Sequence, residues 1–204
     1  MTQNQQEQPT VFIVDDDPAI RFAMQALMDS VNIEHEIYSS GDEFLEKVDD
    51  HRAGCLVLDI RMPGLGGLEL QEELIKRDST LPIIFITGHG DVPMAVDAMQ
   101  KGAVDFIQKP FRDQDLLDRI REALKTDAER REEQQKHAEV AERLARLTNR
   151  EREVFDLVVT GKPNKVIAYE LGVSQRTVEI HRARVMEKMQ ARSLADLVKM
   201  HMTA

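Results

Sequence analysis

The sequence has no apolar run approaching the roughly eighteen residues that a membrane span needs. Its start, MTQNQQEQPT, lacks the apolar stretch of a signal peptide, so a cytoplasmic protein with no membrane partner is expected. There is one cysteine, Cys55, which excludes an internal disulfide and any cysteine-based zinc or redox motif. Because Cys55 lies inside an apolar run, it is read as a small core residue rather than a reactive thiol. The six histidines, at 35, 51, 89, 137, 181 and 201, form neither an HExxH motif nor paired ligand spacing, so a histidine metal centre is not expected.

What is present suits two domains: 204 residues can bury two separate cores. The formal charge of −10 is unevenly spread. Residues 1–147 hold 17 Lys and Arg against 30 Asp and Glu, net −13, while 148–204 hold 10 against 7, net +3. A polyanion is repelled by the first part and tolerated by the second, which points to nucleic acid near the C-terminal end.

The acidic part alternates strand-like and helix-like segments. Apolar runs VFIV (11–14), CLVL (55–58), IIFI (83–86) and VDFI (104–107), with the weaker EIYS (36–39), alternate with helical periodicity over about 18–31, 42–50, 66–77, 91–101 and 113–125. Continuous apolar strands are buried on both faces, so the pattern predicts a doubly wound, flavodoxin-like, five-stranded parallel sheet with helices on each side. The polar residues that end these runs are Asp15 and Asp16, Asp59, Thr87 and Lys109. In an open parallel sheet the carboxyl ends of the strands share one crevice, so these five are expected to converge. Three carboxylates need a cation among them, and an oxygen-only donor set with few protein ligands favours Mg²⁺ over Ca²⁺. Asp59 then reads as a nucleophile towards a phosphoryl group, with Lys109 pairing a phosphate oxygen and Thr87 donating a hydrogen bond. Asp17, Asp42, Asp91 and Asp113 read instead as loop starts and helix N-caps.

Residues 126–147 are strong helix formers without Gly or Pro, and predict a solvated helical linker. Val140, Leu144 and Leu147 make barely one apolar heptad, too little for a coiled-coil seam. The basic part opens with LTNREREV, where Thr148 and Glu151 form a capping box. Gly161, Gly172 and Ser174 then divide it into short helices, the second and third joined by LGVS as a helix-turn-helix, with a fourth from Ser193. At about 100° per residue, Val178, Val185 and Met189 share one face of the third helix and Arg176, Ile180, Ala183 and Glu187 the opposite one. Ile180 is an aliphatic on that outward face, either a chance exposure or, on a recognition helix, a residue suited to a thymine methyl in a major groove.

VDDD, LDIRMPG, ITGHG and the KPF turn stand in the order of the receiver domains of bacterial two-component response regulators, which residues 10–125 resemble. The resemblance implies that Asp59 accepts a phosphoryl group and that Mg²⁺ is held by Asp16, Asp59 and the Arg61 carbonyl, with Asp15 acting through water. It also implies that Phe106 rotates as Thr87 moves towards the phosphoryl group. Haloacid-dehalogenase-type phosphatases share the strand-end Asp but carry a second Asp two residues on, where this chain has Arg61. Without that general base a phosphoaspartate persists, so a switch rather than an enzyme is expected.

LTNREREV, GKPNKVIAYELGVS and RTVEIHRARVMEKM are similar to the four-helix, LuxR-type output domain of the NarL/FixJ family, and resemble its FixJ-like branch closely. By that resemblance Glu179, Ile180 and Ala183 face bases, and Lys165, Arg176, Arg182 and Arg184 contact phosphates or bases. The expected organisation is a disordered N-terminus over 1–9, a receiver over 10–125, a linker over 126–147 and a DNA-binding domain over 148–204. Implied partners are a sensor histidine kinase, a duplex DNA operator and RNA polymerase, with a homodimer forming on phosphorylation. The fourth receiver helix, with Val92, Val96 and Met99 at i, i+4, i+7, is the expected dimer surface. The alternatives are a phosphorylation that relieves an inhibitory contact between the domains, an RNA-binding output, and a stand-alone phosphorelay carrier, against which the basic domain argues.

Overall fold

The computed structural model of the chain describes residues 8–49, 52–88 and 92–203. Its contacts divide into two units, 1–130 and 131–204. The first holds β1 (Thr10–Val14), α1 (Pro18–Ser30), β2 (His35–Tyr38), α2 (Gly41–Lys47), β3 (Gly54–Asp59), α3 (Gly67–Lys76), β4 (Ile83–Thr87), α4 (Val92–Gln100) and β5 (Asp105–Gln108). The long α5 (Asp113–Ala145) begins in this unit and ends in the second, which continues with α6 (Asn149–Val159), α7 (Asn164–Leu171), α8 (Gln175–Met189) and α9 (Leu194–Thr203). Among the described residues no helix is long and apolar enough to cross a membrane.

The sheet is parallel throughout, in the order β2-β1-β3-β4-β5. Alternation along each strand sorts the apolar residues onto two faces. Phe12, Val14, Leu56, Leu58, Ile83 and Phe85 pack with Phe44, Leu70, Leu74, Ala95 and Ala98 of α2, α3 and α4. On the other face Val11, Ile13, Cys55, Val57, Ile84 and Ile86 pack with Met24 and Met28 of α1 and Leu116, Leu117 and Ile120 of α5. Each such side chain contributes about 1.5–3 kcal/mol when fully buried, which holds the strand ends, and the polar residues on them, in place. Cys55 is 0% exposed, and burial, aided by the nearby Asp127 charge, pushes its thiol up to about 12.

Two glycines permit close approaches. A Cβ at Gly54 would overlap the Thr10 carbonyl across the β1–β3 pair, and one at Gly67 would overlap the Asp59 carbonyl. The first turn of α3 therefore lies directly against the backbone of Asp59. Among the acids read as loop starts and caps, Asp17 does cap α1, accepting from the Ala19 amide at 2.8 Å, but α2 is capped by Ser40, with Asp42 in its first turn. Asp113 begins α5, and Asp91 lies outside the described residues.

The expected boundary at 125 falls inside α5, while the one at 147 falls just past its end at Ala145. α5 has Asp127 buried in the first unit, and Val140 and Leu144 buried in the core of the second with Val154, Phe155, Val178 and Val185. The exposed stretch of α5 is thus shorter than the 126–147 expected: residues 128–139 apart from the half-buried Arg131. The i, i+4 pair that is too sparse for a coiled coil serves as one edge of a helical core. Residues 1–7 of the expected N-terminal segment lie outside the described residues, while 8 and 9 are exposed coil.

Candidate functional site

β1 and β3 are spatial neighbours although β2 lies between them in sequence, so a topological switch point falls at their carboxyl ends. Asp15 and Asp16 leave β1 there and Asp59 closes β3. One carboxylate oxygen of each lies within 4.8 Å of the others, with Asp15 buried, Asp59 half-buried and Asp16 exposed. Lys109, just past β5, donates to Asp15 Oδ2 at 3.0 Å and to Asp59 Oδ2 at 2.8 Å. Burial raises the Asp15 carboxyl above its ordinary range, only partly offset by the Asp17 amide and Lys109. Burial alone would lower Lys109, but its hydrogen bonds to Asp59 and Asp15 outweigh that and hold it above the usual amine range.

Backbone donors complete the crevice. The Asp17 amide reaches Asp15 Oδ1 at 2.9 Å and the Arg61 amide reaches Asp59 Oδ1 at 3.2 Å. Thr87 is buried at the end of β4, and its carbonyl accepts from the Lys109 amide at 2.8 Å. The half-buried Phe106 pairs in register with Phe85. Arg21, which sequence reasoning missed, donates through Nη1 to the carbonyls of Asp15 and Asp16, both at 2.8 Å. The available signal was a lone base one turn into the helix after VDDD. Three carboxylates against one lysine leave two negative charges when all are ionised, and their hard oxygens fit a divalent cation.

In the helical unit, α7 and α8 are joined at Gly172, which adopts the left-handed conformation (φ 65°), and Ser174 caps α8 by accepting from the Thr177 amide at 3.0 Å. Val178, Val185 and Met189 are fully buried, while Arg176, Ile180, Ala183 and Arg184 are exposed on the outer side, as is Lys165 on α7. Glu179 is half-buried, with Arg176 at 3.4 Å. Arg182, which the resemblance places at phosphates or bases, is half-buried, and its Nη1 donates to Asn164 Oδ1 at 3.0 Å. At 100° per residue it stands only about 40° from Val178, on the flank facing α7. His181, left unassigned by sequence, is half-buried.

The same unit contains a buried carboxylate. Glu151 closes the capping box with the Thr148 amide at 2.8 Å and accepts from Lys188 Nζ at 2.5 Å, tying the start of α6 to the end of α8. The Lys188 ammonium, followed by the Thr148 amide, holds the Glu151 carboxyl down to about 2. A folded value below the unfolded one stabilises above the unfolded pKa and is lost as pH falls towards the folded one. The urea midpoint read at α8 amide resonances should therefore fall between about pH 4.5 and 2, and Glu151→Gln should flatten that slope. An unchanged slope in the variant would remove Glu151 as its source.

Of the expected receiver dimer surface, Val96 and Met99 are 48% and 38% exposed on α4, while Ala95 and Ala98 face the sheet. Val92 begins α4, and its side chain lies outside the described residues.

The chain matches two family models: a response regulator receiver domain over residues 11–121, and the luxR family of bacterial regulatory proteins over 145–201. It is 49% identical to Nodulation protein W of Bradyrhizobium diazoefficiens, over 95% of this chain and 85% of that protein. It is 44% identical to the transcriptional regulatory protein FixJ of Azorhizobium caulinodans, over 95% of this chain and 92% of the relative. Among solved structures, the response regulator StyR aligns with a TM-score of 0.89 at 44% identity, over 97% of this chain and all of StyR. With an acidic crevice at the strand ends and a helix-turn-helix in the second unit, the chain belongs to the FixJ-like two-component response regulators, transcription regulators that join a receiver domain to a LuxR-type DNA-binding domain.

Proposed function

We propose that Asp59 accepts a phosphoryl group from a sensor histidine kinase and that the modified receiver favours pairing of two chains on a duplex DNA operator. The observation that carries this reading is the Asp59 carboxylate at the mouth of the crevice, 2.8 Å from Lys109 and beside two further acids. A bond forms between an Asp59 oxygen and phosphorus as the phosphorus–nitrogen bond of phosphohistidine breaks. Asp16, Asp59 and the Arg61 carbonyl would hold Mg²⁺, with Asp15 in support, and the ion would supply neutralising charge for the transferring group. Lys109 is already poised on Asp59 and pairs with a phosphoryl oxygen, while Thr87 donates to another and Phe106 follows it. Arg61 stands where a phosphatase would place its general base, which supports a persistent acyl phosphate.

The four outward residues of α8, Arg176, Ile180, Ala183 and Arg184, with Glu179 beside them and Lys165 on α7, form the DNA-reading face. Arg182 joins them from the flank of α8, where its Nη1 also donates to Asn164. Pairing through α4, with Val92, Val96 and Met99 in the seam, doubles the contacts of an output domain of only +3 charge and raises affinity through effective concentration. A bacterial cytoplasm and contact with RNA polymerase complete the reading.

The test selects duplexes from a random pool with acetyl phosphate-treated protein, then measures binding with and without treatment. Treatment should tighten binding, Arg184→Ala should weaken it by about tenfold and reduce the salt slope by about one, and Ile180→Ala should change which sequences are preferred more than overall affinity. Binding indifferent to the phosphodonor would overturn the switch. If treatment tightens binding while sedimentation shows only monomers, release of an inhibitory contact replaces dimerisation.

A further inference from the structure

The buried Asp127 lies on α5 beyond the residues that pack against the sheet as an ordinary receiver helix. It is 1% exposed, and its Oδ2 accepts from the Gly54 amide at 2.9 Å. Gly54 is the first residue of β3, the strand that ends on Asp59. One turn further along α5, Arg130 Nη1 donates to the Thr80 carbonyl at 2.9 Å, in the segment that leads into β4, the strand that ends on Thr87. The helix that continues into the output domain is thus fastened to the opposite ends of the two strands that carry the phosphoacceptor and its hydroxyl partner.

Three features make Asp127 more than a satisfied polar group. It projects a carboxylate, which is costly to bury, at a place where an apolar residue would continue the packing of Leu116, Ile120 and Ala123. Its partner is a backbone amide of a glycine that sequence replacement cannot move aside, since any Cβ at Gly54 would meet Thr10. And the helix is exposed from residue 132 to 139, so Asp127 and Arg130 tie it to this unit close to where it leaves the sheet. A hydrogen bond donated by a backbone amide to a buried carboxylate is a strong, directional kind, suited to fixing a helix rather than merely covering a surface.

We propose that Asp127 and Arg130 are positioning residues that register α5 against the starts of β3 and β4, so that the response of Asp59 and Thr87 to phosphorylation is passed to the helix leading into the output domain. The inference rests on the receiver function proposed above, and it concerns transmission rather than the chemistry of the crevice.

The test uses the full chain, with beryllofluoride and Mg²⁺ as the phosphoryl probe and hydrogen exchange as the readout. In the wild type, the probe should change exchange both near Asp59 and Thr87 and in residues 126–139. Asp127→Ala should exchange residues 126–139 at least about tenfold faster before any probe is added, and should keep the response near Asp59 while losing it in the helix. Asp127→Asn, which retains an acceptor oxygen for the Gly54 amide, should restore the wild-type pattern, and Arg130→Ala should give a partial loss. Ile120→Val, a core truncation on the same helix, controls for simple destabilisation and should leave the helix response intact. A helix response in Asp127→Ala equal to that of the wild type overturns the proposal, as does a wild type whose crevice responds while residues 126–139 do not. A wild type with no response near Asp59 instead overturns the receiver function, and the probe-free comparison of the variants still decides whether Asp127 holds the helix.

Discussion

Asp59→Asn should reduce acyl phosphate formation from acetyl phosphate to below about one hundredth of wild type, the scale expected when the nucleophile itself is removed. An amide of nearly the same shape still fits beside Lys109 and the Arg61 amide, so the loss would come from chemistry rather than from collapse of the crevice. Asp17→Asn provides the control. Asp17 caps α1 through a side-chain oxygen that asparagine also possesses, and should label close to wild type. Asp16→Asn, or removal of Mg²⁺ with EDTA, should suppress labelling without removing the nucleophile. Equal labelling of Asp59→Asn and wild type, in protein shown to be folded by circular dichroism, would transfer the acceptor role elsewhere.

Lys109→Ala should produce the largest change in stability. The lysine bridges Asp15, which is 1% exposed, and Asp59, and its removal takes away the ammonium that bridges these two carboxylates. Breaking a buried pair costs about 3–5 kcal/mol and an exposed one under about 1. With Lys109 a quarter exposed, about 2 kcal/mol is the reasonable scale, equivalent to a fall of roughly 10 °C in the receiver melting temperature. The deficit should be greatest in EDTA and shrink in millimolar Mg²⁺, because a divalent cation that binds only the folded crevice stabilises it. Acidification should shrink it too, since protonating Asp15 removes the repulsion, and burial already raises that carboxyl. A variant that melts at the wild-type temperature in EDTA would show that Lys109 is not the charge that holds the acids together.

The strand ends were legible because they rest on local pattern alone. Apolar runs of four residues, each closed by Asp, Thr or a nearby Lys, specify buried parallel strands, and a parallel sheet then gathers their carboxyl ends. The α8 face was legible for the same reason: Val178, Val185 and Met189 repeat at helical spacing, and the remaining residues face outward by subtraction. Arg182, placed by resemblance and not by that subtraction, lies on the flank of the helix, where it meets Asn164 of another helix. Gly67 and Asp127 were not legible, since each meets the backbone of another element, whereas Arg21 left only the faint signal of a lone base one turn into the helix after VDDD. No periodicity marks a carboxylate that meets the amide of Gly54 seventy-three residues earlier. The continuity of α5 was visible as helix propensity, but the loss of its two ends into separate cores depends on partners that a one-dimensional reading does not see.

The sealed thiol of Cys55 has a practical consequence for experiments on this switch. With no exposure and a pKa pushed up to about 12, it carries only a minute fraction of thiolate at neutral pH, so maleimides and disulfide-forming spin labels have almost nothing to attack in the folded chain. The protein is, for labelling purposes, already a cysteine-free background. A single cysteine introduced at an exposed position such as Gln135 can carry a fluorophore or nitroxide without first removing the native thiol, and without the core cavity or repacking that such a removal would bring.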